Sequence, residues 1–154
     1  MEYASIEREL HIDASPEVVF DVLSNPEHIK DWWSAETEFE PVAGTSAQLT
    51  WTDQGSGERK STPFTVFEVD PPRSFSFLWT YDDGTTAAPD NSLLVTFELI
   101  ASGRGTLLRF RETGYRTRGW DAATLEAYYN DHRQGWDHFL PRVGEVATRV
   151  AASR

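Results

Sequence analysis

Apolar positions recur along this chain with two different periods. From Asp121 to Ser153 the steps are three and four: Leu125, Tyr128/Tyr129, His132, Trp136, Phe139/Leu140, Val143, Val146/Ala147 and Val150. That spacing lays them along one face of a helix. At about 1.5 Å per residue such a helix is a rod of roughly 45 Å, so a broad partner is expected beneath it. One member of the stripe, His132, is a titratable group among aromatics.

Upstream, period two dominates. Ala4, Ile6, Leu10 and Ile12 alternate with Ser5, Glu7, Glu9 and His11, which predicts a half-buried strand whose apolar side is interrupted by Arg8. A helix start follows, with Ser15 as N-cap, Pro16 in the first turn and Glu17 at the positive end of the dipole. Val18, Val19, Val22 and Leu23 give it an apolar face, and Asn25-Pro26 ends it and opens a second short helix through His28, Ile29, Trp32 and Trp33. Neighbouring helical positions point apart, so one of these two indoles is expected to face inward and the other to line a rim.

Glu36 to Pro41 is read as a short strand and Gly44 to Thr52 as a better one, with Ala47, Leu49 and Trp51 on one face. Asp53 to Gly57 is a turn. Arg59 to Asp70 is again a strand, but Phe64, Val66, Phe67 and Val69 make both faces apolar and leave its pleat open. Asp70-Pro71-Pro72-Arg73 is a rigid corner. Phe75, Phe77, Trp79 and Tyr81 then alternate cleanly with Ser74, Ser76, Leu78 and Thr80. Asp82 to Asn91 is a polar loop, expected to be the most mobile segment. Leu93, Val95, Phe97 and Leu99 face inward next, and Gly103-Arg104-Gly105 makes a hairpin turn. Leu108, Phe110 and Glu112 continue inward, opposite Leu107, Arg109 and Arg111.

One strand, two short helices, about six antiparallel strands and a long final helix predict an α+β fold, a single domain over residues 1–154. A twisted sheet gripping one helix leaves space between them. Pro141 falls inside that helix, where it removes a backbone hydrogen bond and is expected to bend the rod to the sheet's curvature.

Composition narrows the function classes. Six Trp, nine Phe and five Tyr supply ring area of the kind that lines concave sites as well as cores. A net charge of −11 without a basic stripe disfavours nucleic acid and anionic membrane surfaces as partners. With no cysteine, disulfides, thiol catalysis and thiolate metal sites are excluded. The histidines, His11, His28, His132 and His138, include no helical pair four apart, and Asp82-Asp83 and Asp90 lack calcium-loop spacing, so no metal is expected. Neither glycine pair opens a helix or precedes Lys-Ser/Thr, and no Gly-x-Ser-x-Gly elbow occurs, so no nucleotide cofactor and no serine hydrolase are expected. The first residues lack a signal-peptide core and no run is long enough to span a bilayer, which points to the cytoplasm.

Four stretches in order resemble one family. "IERELHIDASPEVVFDVLSNPEHIKDWW" is similar to the opening third of the SRPBCC, or START-like, superfamily, and more specifically to its bacterial proteins named after the activator of the heat-shock-protein ATPase. "FEVDPPRSFSFLW" resembles that family's proline corner and aromatic strand, "GTLLRFRETGY" its last strand, and "GWDHFL" its Gly-Trp helix motif. The resemblance implies a helix-grip (START-like, Bet v-like) fold, a curved sheet of six to seven strands around a carboxy-terminal helix, with a hydrophobic cavity. It also implies a stress-response association through the heat-shock name, which is a poor guide to activity. Where relatives often carry His on the last strand, this chain has Glu112.

The candidate site follows from the pleat. Glu112 and His132 project into the grip from strand and helix, where they can satisfy one another, anchor a ligand's polar end, or transfer a proton. Trp33, Trp51, Phe77, Trp79, Phe97, Phe110, Tyr129 and Trp136 are the candidate walls. The first expectation is a binding protein for a small hydrophobic or amphipathic molecule, without cofactor. The rivals are a cyclase or hydrolase using His132 or Glu112 as general base, and a module docking a chaperone through the outer sheet face. An uncovered edge strand would also admit a homodimer.

Overall fold

The structure is a computed structural model that describes residues 4–80 and 85–154. Six strands form one antiparallel sheet in the order β1-β6-β5-β4-β3-β2. They are β1 Ser5–Ile12, β2 Ser46–Thr52, β3 Arg59–Asp70, β4 Ser74–Trp79, β5 Leu93–Ser102 and β6 Gly105–Thr113. Helices α1 (Pro16–Ser24) and α2 (Pro26–Trp33) follow β1, and α3 (Ala122–Ala152) closes the chain after a 3-10 turn at Tyr115–Thr117. β2 through β6 pair with their sequence neighbours, and β1 returns beside β6, with Ile6 opposite Glu112. α3 packs on α1, α2 and β1 and covers the concave face.

The local signals act as the sequence predicts. Ser15 Oγ accepts from the Val18 amide, and Asn25 both ends α1 and caps α2 by accepting from the Glu27 amide. Asp121 caps α3 through the Thr124 amide. α3 runs unbroken through Pro141, with Trp136, Leu140, Val143, Val146 and Ala147 as its buried stripe. Arg8, the interruption on β1, reaches α3 and binds the Asp137 carboxylate at 2.7 Å.

Two expectations change, and the open pleat of β3 is resolved. Glu36 to Pro41 is not a strand; only Glu36 makes an isolated bridge, to Thr50. The ambiguous pleat of β3 has a cause: the register slips between Val66 and Glu68, so Phe67 is the extra residue of a β-bulge. Phe64 and Val66 before it and Val69 after it therefore share the inner face, while Phe67 is exposed. Trp32 and Trp33 do not divide between core and rim, since both are buried and stack 4.9 Å apart at 7°. α2 is wedged between sheet and α3, so the sides that two neighbouring positions face are both apolar. On the outer sheet face, Leu78 is buried at 6% exposure, and the neighbouring Thr65 hydroxyl donates to the Ala87 carbonyl of the β4–β5 connection.

The described part of that connection is pinned. The Ala88 amide donates to Asn91 Oδ1, the Asn91 carboxamide to the Thr86 carbonyl, and Arg118 to the Pro89 carbonyl. Tyr81 and Asp82-Asp83 lie outside the described residues.

Candidate functional site

The site is built around a carboxylate the sheet cannot turn away. On β6 the alternation that buries Leu108 and Phe110 also carries Glu112 inward, to zero exposure. A buried carboxylate demands hydrogen-bond donors, and four side chains supply them. Trp79 Nε1 on β4 donates to Oε2 at 2.8 Å, and Trp136 Nε1 on α3 donates to Oε1 at 3.2 Å. His132 Nδ1 lies 3.0 Å from Oε1 and 3.1 Å from Oε2. The Tyr115 hydroxyl also donates to Oε1. It reaches back because Gly114 adopts φ 107°, a left-handed turn that folds Tyr115 beneath the end of β6.

These contacts set the protonation states. Burial alone pulls the His132 imidazolium down, but the charge and hydrogen bond of Glu112 more than reverse it, so the ring titrates above its ordinary value. Asp131 adds to the rise and Lys60 opposes it. Burial, and then the Glu112 charge, push the Tyr115 phenol far up, so it remains a donor.

Beside this cluster, between α3 and the β2–β4 side of the sheet, lies a cavity of about 420 Å³. Its walls include Trp33, Trp51, Trp79, Trp136, Tyr128 and Phe139. Four indoles thus meet there, with Trp33 central: its ring lies 5.1 Å from Trp136, 5.3 Å from Trp79 and 5.5 Å from Trp51. Most of their N–H groups are committed elsewhere, Trp79 and Trp136 to Glu112 and Trp51 to the Trp33 carbonyl at 2.9 Å. The rings therefore have fixed orientations and offer mainly apolar surface. His132, Lys60, Thr62, Thr80 and Asp131 are the polar members of the lining, and Gly135 leaves open space where a side chain would stand.

Of the predicted site residues, Trp33, Trp51, Trp79, His132 and Trp136 do line the cavity. Phe77, Phe97 and Phe110 lie in the packed layer beneath, at 4%, 0% and 2% exposure. Glu112 sits behind the wall and is joined to the lining through Trp79, His132 and Trp136. Tyr129 turns to the chain's start and donates to the Ser5 carbonyl at 2.9 Å, leaving the lining position to Tyr128. Lys60, Thr62 and Tyr115 are functional candidates the sequence reading missed. Lys60 and Thr62 share the parity of Phe64 and Val66 and pair across the sheet with Trp51 and Leu49, a placement that the open pleat of β3 concealed.

A six-stranded antiparallel sheet gripping a long carboxy-terminal helix, with a cavity between them, is the architecture of helix-grip, START-like domains. The chain belongs to the activator of Hsp90 ATPase homolog 1-like family, whose model matches residues 13–147. Solved structures agree on the fold. A protein from Mesorhizobium loti is 21% identical with a TM-score of 0.74, over 94% of this chain and 97% of its own. One from Nitrosomonas europaea is 13% identical with a TM-score of 0.75, over 96% of each chain. The Aha1 dimer from Colwellia psychrerythraea is 18% identical with a TM-score of 0.67, over 93% of this chain and 95% of its own. No curated protein matches the chain. Among the described residues, no helix is long and apolar enough to cross a membrane.

Proposed function

We propose that this chain is a cytoplasmic binding protein for a small, largely apolar molecule held between sheet and α3. The observation that carries the reading is the cavity of about 420 Å³ walled by four indoles. Its volume falls within the range of small-molecule sites, ~300–1,000 Å³. Rings already locked by hydrogen bonds lose little rotamer freedom when a guest arrives, so burial of apolar surface is converted to affinity with small ordering cost. Indoles dominate the walls and a smaller set of polar groups, His132 and Lys60 among them, completes the lining, which suits a guest with an apolar body and a polar end.

Native mass spectrometry of protein purified from its own host tests this, paired with Gly135→Trp. A Cβ at this position meets nothing within 4 Å, so the added ring enters the cavity space. Co-purifying small molecules carried by the wild type and lost in Gly135→Trp support the reading. A wild type that carries and binds nothing, or a variant that binds equally well, refutes it.

A further inference from the structure

The cavity's spare hydrogen-bonding groups are not balanced between donors and acceptors. Trp33 lines it at 4% exposure, and its indole N–H has no acceptor among the described residues. Lys60 stands on the inner face of β3 opposite Trp51, and its ammonium has no ion-pair partner among the described residues. His132 has Nδ1 occupied by Glu112, while Nε2 has no partner among the described residues. Against these, the charged acceptor in the lining is Asp131, exposed to water at the mouth. Glu112 is a fifth group of the site, but its two oxygens are consumed by four donors and it does not reach the lining.

We propose that the cavity takes an aromatic carboxylic acid, its rings among the indoles and its carboxylate held by His132 Nε2–H and the Lys60 ammonium. This rests on the cavity reading above and names its ligand class. Size fits: a dry cavity of about 150 Å³ takes one benzene ring, so about 420 Å³ has room for two or three rings. Aromatic pairs add to area burial by edge and offset contacts, which the tilted indoles offer on several sides. A carboxylate placed between Lys60 and His132 also relieves their mutual repulsion, already felt at the imidazole.

The assignment carries a pH dependence. A neutral His132 keeps its one proton on Nδ1 to satisfy Glu112, which makes Nε2 an acceptor that repels a carboxylate. Only the imidazolium presents an N–H to the cavity. The groups that face the ring and set its titration are Glu112 from β6, Tyr115 from the 3-10 turn, Lys60 from β3, and Asp131 from α3 itself. Glu112 raises the titration above the ordinary imidazole value, so the donor form persists to higher pH than in a free imidazole.

Calorimetric titration with benzoic, 2-naphthoic and anthracene-2-carboxylic acids, each against its primary amide, tests the class at pH 6 and pH 9. At pH 6 the best acid is expected to bind at least tenfold tighter than its amide, and that preference is expected to shrink at pH 9. Lys60→Met, an exposed position, is expected to lower acid affinity severalfold and amide affinity by less. His132→Gln is expected to remove the pH dependence of the preference. Equal binding of acid and amide overturns this inference while the cavity reading stands. Binding of neither, across all three ring sizes, overturns the cavity reading and this inference with it. Acid binding that survives Gly135→Trp places the carboxylate on the outer surface and overturns the inference too.

Discussion

Replacing Glu112 with glutamine preserves the size of the side chain and removes its charge. The wild-type carboxylate accepts from Tyr115, His132 and Trp136 at Oε1, and from Trp79 at Oε2 with His132 shared. A carboxamide has one acceptor oxygen. Its better orientation places that oxygen at the Oε1 position and turns the NH2 toward the Trp79 N–H. One buried donor then loses its acceptor, at about 1–3 kcal/mol, and the three bonds that remain fall from charge-assisted to neutral, at about 1 kcal/mol each. The expected loss is roughly 4–6 kcal/mol, or roughly 10–20 °C in Tm for a chain of this size.

The pH dependence of that loss is the sharper test. In the wild type the folded-state pKa of His132 is raised, so its contribution is fully present below the unfolded value of about 6.5 and is lost as pH rises through the folded value. Without Glu112, burial is left as the main influence on the ring. The folded pKa then falls below the unfolded one, and the variant gains stability as pH rises through that lower window. The difference between the two proteins should be widest near pH 6 and narrow toward pH 8.5, the other histidines cancelling. Urea unfolding followed by tryptophan fluorescence at both pH values measures it. A gap below about 1 kcal/mol, or one that widens with pH, would refute the charged hub.

Four further outcomes follow from contacts described above. Tyr115→Phe removes one donor to a buried charge and should lower stability by about 1.5–3 kcal/mol in the same urea assay. Gly135→Ala meets no atom within 4 Å and should raise stability by up to about 1 kcal/mol through helix propensity, seen as a higher urea midpoint at unchanged slope. Ser15→Ala removes the acceptor at the start of α1 and should cost about 1 kcal/mol, whereas Phe67→Thr at the exposed bulge should change the thermal midpoint little.

The fold was legible where a local cause acts alone. Ser15-Pro16, Asn25-Pro26 and Gly103-Arg104-Gly105 mark boundaries by their own backbone preferences, and β4, β5 and β6 alternate without interruption. The inward turn of Glu112 and its meeting with His132 were legible by the same parity. What stayed hidden depends on contacts between elements. Phe67 defeats the alternation of β3 because an inserted residue shifts parity without any glycine to announce it. Tyr115 joins the hub only through the turn at Gly114, and Trp79 and Trp136 only because their N–H groups converge on one carboxylate from strand and helix. Trp32 and Trp33 misled because burial on both sides of α2 comes from neighbours that sequence periodicity does not describe.

The central position of Trp33 bears on how such a pocket diversifies. Its ring touches those of Trp32, Trp51, Trp79, Trp136 and Phe77, so every neighbour's replacement changes the support of the others. Effects at residues in mutual contact do not add. A new guest shape is therefore hard to reach by one substitution at a time, and the ring set should drift as a block, with paired changes recovering what single ones forfeit.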